Sequence, residues 1–396
     1  MNETKKKKSI WNNSAFQSII ASLLCIVVGV LIGYIVLLFI NPDGASEAIV
    51  AILKNFLNYP SQQAALMYLG NTLVRTAPLL MCALSIQFCY KAGLFNIGAA
   101  GQYVAGAGAC LYTALGLHAN WFFCLIAAVL AGGLFGLITG LLKAYKSVNE
   151  VISGIMLNWI GLYLVNMVLN NVKEVASPYT KSIPEVNRGA LLPSLGLGSF
   201  FTDNQYVTIA IPLAIIIAIL IAWVLKKTVF GYEVLATGYN KNAAQYAGMK
   251  ENRNIVVTIV IGGMLAGAGA AFLYLTGYEQ WSCTQTTVPG MGFNGIAATF
   301  LGGLDPIGTI FASYFIQHIT SGGAYVDLNI YPSQVSDIIS SVIIYLCGFV
   351  FFIKNIMNSI HAKKAETVIM ATKKVEAAKA SDVNVASDDD KKGGDQ

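Results

Sequence analysis

Residues 92–142 read AGLFNIGAAGQYVAGAGACLYTALGLHANWFFCLIAAVLAGGLFGLITGLL, 51 residues without one Asp, Glu, Lys or Arg. A hydrocarbon layer of about 30 Å takes about 20 apolar residues of helix. The stretch is therefore long enough for two crossings, with a turn near 118–120. Working outward, 64–90 is apolar apart from Arg75, and 18–40 carries no charge. Stretches 151–170, 206–225 and 254–278 each read as one crossing more. Between 291 and 317 lie two shorter apolar pieces, split by Gly-Gly-Leu-Asp-Pro at 302–306. A last short run, 338–353, sits between Asp337 and Lys354. The expectation is an all-α, polytopic membrane protein of about ten segments.

Composition agrees. Of 396 residues 56% are apolar and 11% charged, against about 45–50% and about 25% in soluble domains. Mean hydropathy is +0.62. Such a chain cannot cover a water-facing surface with polar groups, which excludes soluble enzymes, coiled coils and disordered chains. Six of the seven cysteines (Cys25, Cys82, Cys89, Cys110, Cys124 and Cys347) fall in or beside apolar runs, where cysteine acts as a small hydrophobe. Cys283 is expected to be exposed and without a partner.

Three regions follow: a basic N-terminus 1–17, a membrane domain 18–354 and a polar, disordered tail 355–396. Stretch 18–40 is too long for a signal-peptide core and reads as a retained first helix. With ten alternating segments, 20 of the 25 Lys and Arg fall on the side of Lys5–Lys8, four on the other, and Arg75 within a span. The positive-inside rule puts both termini in the cytoplasm; the expected location is the cell membrane. Arg75 is expected to snorkel or pair near the outer rim.

The chemistry of a self-powered machine is missing. No Gly-Lys pair exists, so there is no phosphate-binding P-loop. The three histidines are scattered, and the triple Asp388–Asp390 reads as a solvated charge run. Gly290-Met-Gly-Phe-Asn-Gly295 matches G-x-G-x-x-G without the strand–helix context of a dinucleotide site. No catalytic residues, metal site, cofactor or nucleic-acid binding are expected. No series of buried acids suggests ion coupling.

Three features carry functional signal. The inner loop 226–254 contains Asn240 as an N-cap, then Ala243, Ala244, Tyr246, Ala247 and Met249 at helical spacing, with Gly248 near the stop. A short exposed helix there would dock into a partner's groove; an ordinary interfacial loop helix is the alternative. Second, 94–99 (LFNIGA) and 292–297 (GFNGIA) share Phe-Asn followed by Gly and Ala, and by parity run in opposite directions. That is the pattern of an inverted repeat with Gly-rich broken helices. Third, Gly132, Gly136 and Gly140 are four apart, as are Gly29 and Gly33, and Gly263 and Gly267. Such stripes let helices approach closely.

Four ordered stretches, 91–102 (KAGLFNIGAAGQ), 149–158 (NEVISGIMLN), 236–248 (ATGYNKNAAQYAG) and 292–308 (GFNGIAATFLGGLDPIG), resemble signature stretches of permease subunits of ATP-binding-cassette importers. The subgroup is that of nucleosides or simple sugars, within the class holding ribose and branched-chain amino-acid permeases. The resemblance implies a path for nucleosides or a related small polar solute, a second homologous permease, a cytoplasmic ATPase and an extracytoplasmic substrate-binding lipoprotein. ATP would then be hydrolysed on the partner, and this chain is no enzyme. The coupling residues implied are Glu233, Ala236, Gly238, Asn240, Ala243, Ala244 and Gly248. Two departures stand out: Ala100 where such permeases often carry Glu, and Leu235 where Arg is common. Sugar or branched-chain amino-acid transport, or an ion-coupled transporter, are the rival readings.

Buried amides in lipid are costly unless they pair or face a cavity. Asn96, Gln102, Asn158, Asn166 and Asn294 are therefore candidates for solute contact, with helix–helix hydrogen bonding as their alternative role. Phe95 and Phe293 are placed to stack on a base.

Overall fold

The computed structural model describes residues 14–326 and isolated positions between 331 and 359. Residues 22–348 form one compact unit, and 1–21 with 349–396 a second. The expected segment 338–353 and the tail lie almost wholly outside the described residues. Among the described residues everything regular is helical: α1 Ser14–Ile40, α2 Ala45–Lys54, α3 Gln62–Lys91, α4 Ala99–Leu115, α5 Trp121–Lys146, α6 Glu150–Leu169, α7 Ile183–Val186, α8 Ala210–Lys227, α9 Val229–Tyr239, α10 Lys241–Tyr246, α11 Glu251–Tyr274, α12 Met291–Leu301 and α13 Pro306–Gly322.

The helix starts follow capping chemistry. Ser61, Asn120, Asn149, Thr228, Asn240 and Asp305 each accept a backbone N–H of the first turn. Pro306 follows Asp305 at the first helical position, where its missing N–H costs nothing. Among the described residues five helices, α3, α5, α6 with its short extension to Val172, α8 and α11, are long and apolar enough to cross a membrane. The stretch 92–142 forms α4 and α5 about the expected turn, and the two pieces read from 291–317 are α12 and α13.

Within the larger unit, α3 and α11 are central and α5, α6 and α8 peripheral. The most apolar window of α3 is 89% buried and that of α5 33%. The outward faces carry Leu130, Leu134 and Ile138 on α5, Met156 and Ile160 on α6, and Leu220 and Trp223 on α8. Water would penalise that surface; lipid solvates it.

The glycine stripes meet. The most extensive helix pairing is α5 with α11. A Cβ on Gly132 would lie 2.3 Å from the Gly263 carbonyl oxygen, and one on Gly267 2.2 Å from that of Ala128. The crossing is backbone on backbone.

Helix ends sort onto two sides. On one, Lys143 pairs with Glu150 at 2.6 Å, Lys226 with Asp305 at 2.8 Å and Lys241 with Glu251 at 3.3 Å. On the other, the Asn204 amide donates to the Met67 carbonyl, the Asn187 amide to those of Ala114 and Ala119, and the Leu192 N–H to that of Leu275. The first side holds eight of the described Lys and Arg, the second four, with Arg75 in addition.

One expectation needs correction, and two features add to the sequence reading. Cys283 is buried, at 9% exposure, and its N–H bonds to the Pro178 carbonyl. Helix α2 was not anticipated, since it is short and flanked by Pro42 and Pro60. The two Phe-Asn segments are not structurally equivalent. The first lies in the loop before α4 and the second inside the first turn of α12.

Replacing Gly263 with Ala is expected to destabilise the fold by about 1–3 kcal/mol through overpacking. Gly290, whose Cβ would meet nothing nearer than 3.9 Å, should tolerate Ala. Thermal unfolding of the two purified variants in detergent checks the contrast.

Candidate functional site

The loop 92–98 and the starts of α4 and α12 converge. Gly292 sits so close to Ala100 that a Cβ would lie 2.4 Å from the Ala100 Cα. Gly292 thus lets α12 seat directly on the backbone of α4 at Ala100. Phe95 stacks on Phe300 of α12, centroids 6.5 Å apart.

The amides beneath are paired with one another. Asn96 Nδ2 donates to Gln102 Oε1 at 2.9 Å and to Ser85 Oγ at 3.1 Å, and Gln102 Nε2 returns a bond to Asn96 Oδ1 at 3.3 Å. Asn158 on α6 accepts from the Gly101 N–H at 2.7 Å and donates to the Ile97 carbonyl at 3.2 Å. Asn158 thus supplies partners for backbone groups at the start of α4. Asn166 lies at the far end of α6, accepting from Trp281 Nε1 and donating to the Gln285 carbonyl, both at 2.9 Å. Phe95, Asn96, Gln102 and Asn158 therefore form one cluster, and Asn166 braces another. Asn294, half-buried, has no side-chain partner among the described residues, and Phe293 beside it is 41% exposed.

The sequence reading missed a polar face on α13. Thr309, Ser313 and Gln317 recur every four residues and are all buried. Thr309 donates to Gln87 Oε1 of α3 at 3.1 Å, while Gln87 Nε2 and Ser313 Oγ have no partner among the described residues. The four-residue spacing was visible in the sequence.

On the side of the basic helix ends, 226–254 is two helices rather than one. Asn240 caps α10 as expected, accepting from the Ala243 N–H at 3.0 Å, and Gly248 follows at φ 82°, a conformation that suits glycine. The expected docking helix is not wholly exposed: Ala243 is exposed, but Ala244 is buried at 3%. Glu233, Ala236 and Gly238 lie half-buried on α9, which the sequence reading left without structure. Gly238 is pressed against the turn after α3. A Cβ there would lie 2.3 Å from the Lys91 carbonyl and 2.9 Å from Gly93 N. A cavity of about 350 Å³ opens beside this contact, lined by Leu94, Lys143, Ser147, Asn240 and Lys241 among others. At the neighbouring α12–α13 turn, burial pushes the Asp305 carboxyl up. Its bonds from Lys226 and backbone N–H groups outweigh that and hold it below the usual carboxylate range.

Residues 68–348 match the family described as the permease component of branched-chain amino acid transport systems. This chain belongs to that family. The permease is 30% identical over 371 residues to the nucleoside ABC transporter permease protein NupB of Lactococcus lactis subsp. cremoris, covering 91% of this chain and 98% of that one. It is 31% identical over 303 residues to the guanosine ABC transporter permease protein NupP of Bacillus subtilis, over 75% and 86% of the two chains. The glucose ABC transporter permease protein TsgB13 of Haloferax volcanii is 28% identical over 72% of this chain and 77% of its own. No solved structure matches. As a permease of this family the protein is a multi-pass membrane component of a transporter rather than an enzyme.

Replacing Asn158 with Ala leaves the Gly101 N–H and the Ile97 carbonyl without these bonds, at about 1–3 kcal/mol. Asn294→Ala breaks no such bond among the described residues. Unfolding midpoints of the two variants should differ accordingly, with Asn294→Ala matching the unmodified permease.

Proposed function

We propose that this permease moves nucleosides into the cell, driven by ATP hydrolysed on a separate subunit docked against α9 and α10. A second, homologous permease would complete the path. An extracytoplasmic lipoprotein would deliver the solute to the side of 170–209 and 275–290. The side bearing α9, α10 and most basic residues would be cytoplasmic, and both termini would lie on it. The similarity to the nucleoside permease NupB and the guanosine permease NupP supports the solute class.

The observation that carries the mechanism is the contact of Gly238 with residues 91–93. Movement of α9 on ATPase closure would press directly on the turn leading to Phe95 and Asn96, and so on the seat of α12 at Ala100. Solute contact is assigned to Phe95, Asn96, Gln102, Phe293 and Asn294, with Asn158 and Asn166 holding that path in place. Coupling is assigned to Glu233, Ala236, Gly238, Asn240, Ala243 and Gly248. Ala244, turned into this chain, supports α10 from behind.

Ala243→Asp tests the docking surface. A carboxylate desolvated at the interface without a partner costs several kcal/mol. The variant should lose uptake of labelled guanosine and co-purification of the ATPase at normal permease abundance, while Ala243→Ser keeps both. Normal uptake with Asp would move docking elsewhere.

Orientation is checked by cysteine labelling. Single replacements of Lys181 and Lys241, both exposed, should react with an impermeant reagent from opposite sides of the membrane, Lys181→Cys from outside. Labelling from one side alone would refute the topology.

A further inference from the structure

Five tyrosines from five separate segments gather opposite the α9–α10 side. Tyr59, before α3, stacks on Tyr68 of α3 with centroids 4.1 Å apart and planes at 8°. Tyr325, after α13, meets both rings edge-on at 5.5 and 6.3 Å. Tyr206, before α8, sets its edge on Tyr278, after α11, at 5.1 Å. Arg75 joins the two groups: it lies on α3 seven residues, about two turns, after Tyr68, and over the Tyr278 ring.

An ion pair sits among them. Arg75 lies over the Tyr278 ring at 5.2 Å and pairs with Glu279 at 2.6 Å, and both side chains stay about one-third exposed. Arg75 Nε is a donor without an acceptor among the described residues. The turn that presents Tyr278 is built: Gly277 takes φ 72° and Thr276 Oγ1 accepts the Tyr278 N–H.

An aromatic belt at the membrane interface faces lipid. These rings instead meet at α3, the most buried of the candidate spans, through Tyr68 and Arg75, and Val74 and Thr76 beside Arg75 are buried. An ion pair left one-third exposed adds little to stability. The chemistry of the set is that of a stacking site: π-faces for a planar base, a carboxylate to accept from sugar hydroxyls, and a guanidinium donor for ring acceptors.

We propose that Tyr68, Tyr278 and their neighbours, with the Arg75–Glu279 pair, form an entry site that stacks the base of an incoming nucleoside before translocation. The proposal rests on the nucleoside reading above and adds where and by what contacts the base is first held.

The test is equilibrium binding of tritiated guanosine to the complete transporter in nanodiscs without the capture lipoprotein. Tyr68→Leu and Tyr278→Leu should each raise Kd about tenfold, the loss of roughly one base–ring contact. The Phe variants, which keep the ring, should stay near the unmodified value. Guanine should compete and ribose should not. If either Leu variant fails to accumulate, Tyr59→Leu, in the loop before α3, removes half of the stacked pair and should raise Kd in the same direction. Unchanged Kd in the Leu variants, or ribose competing as well as guanine, overturns the proposal. So does absence of binding by a transporter that still takes up guanosine, and then the nucleoside reading stands. Absence of guanosine uptake when all subunits are present overturns the reading and the proposal together.

Discussion

The backbone contact between α5 and α11 is the constraint from which the rest of the core follows. Lipid gives helices no hydrophobic reason to associate, because lipid tails are as apolar as leucine. Close packing must supply the attraction, and small residues permit it. Helix α11 uses glycines in three directions. Gly263 and Gly267 admit the backbone of α5, and Gly267 also admits Gly106 of α4, whose Cβ would lie 2.5 Å from its Cα. Gly262 and Gly269 receive Cys89 and the Pro78 carbonyl of α3. Three helices thus dock on one, and the large apolar side chains of α5 turn outward.

With spacing set by glycine, polar side chains specify which segments meet. Asn158 carries the start of α4, and Thr299 Oγ1 ties α12 to the Ala83 carbonyl of α3 at 2.8 Å. Each bond is made where the alternative is an unpaired group out of reach of water, so a wrong register is penalised more than the right one is rewarded. The α3–α13 contact differs. Thr309 and Gln87 are paired, yet Gln87 Nε2 and Ser313 Oγ have no partner among the described residues. It is less completely satisfied than the α4–α6 contact.

How much of this the sequence disclosed depended on the interaction. Charge-free length and capping residues are local, so the spans around 64–90, 92–142 and 254–278 and the start of α10 at Asn240 were legible. Helix α9 was not. Val229–Tyr239 has no clear apolar stripe, and Gly231 and Gly238 argue against a helix. It stands because Gly231 packs on the Val224–Leu225 backbone and Gly238 on that of Lys91, contacts no local pattern contains. The amides show a second limit. Sequence marks Asn96, Gln102 and Asn158 as buried polar groups in lipid, but not which partner takes up their hydrogen bonds. Cys283 and Ala244 were misjudged because their burial depends on Pro178 and on the fold of the inner loop, not on their neighbours in sequence. The tyrosine cluster was invisible for the same reason: its members come from five segments.

The physical distinction between a loop and a lever lies in how much slack separates it from what it moves. Side-chain contacts yield by changing rotamer, whereas backbone-on-backbone contacts have no soft coordinate to absorb a displacement. Ala244 roots α10 in this chain, and Lys241 ties it to Glu251 of α11. Asn240 closes α9 and caps α10 at once, so the two helices share a rigid corner. Gly238, two residues before that corner, meets residues 91–93 without an intervening side chain. The next contact, Gly292 on Ala100, is again backbone against backbone. In the proposed mechanism a shift of α9 cannot be taken up at either joint. It must reappear as a shift of the loop 92–98 or of α12, the elements that carry Phe95, Asn96, Phe293 and Asn294.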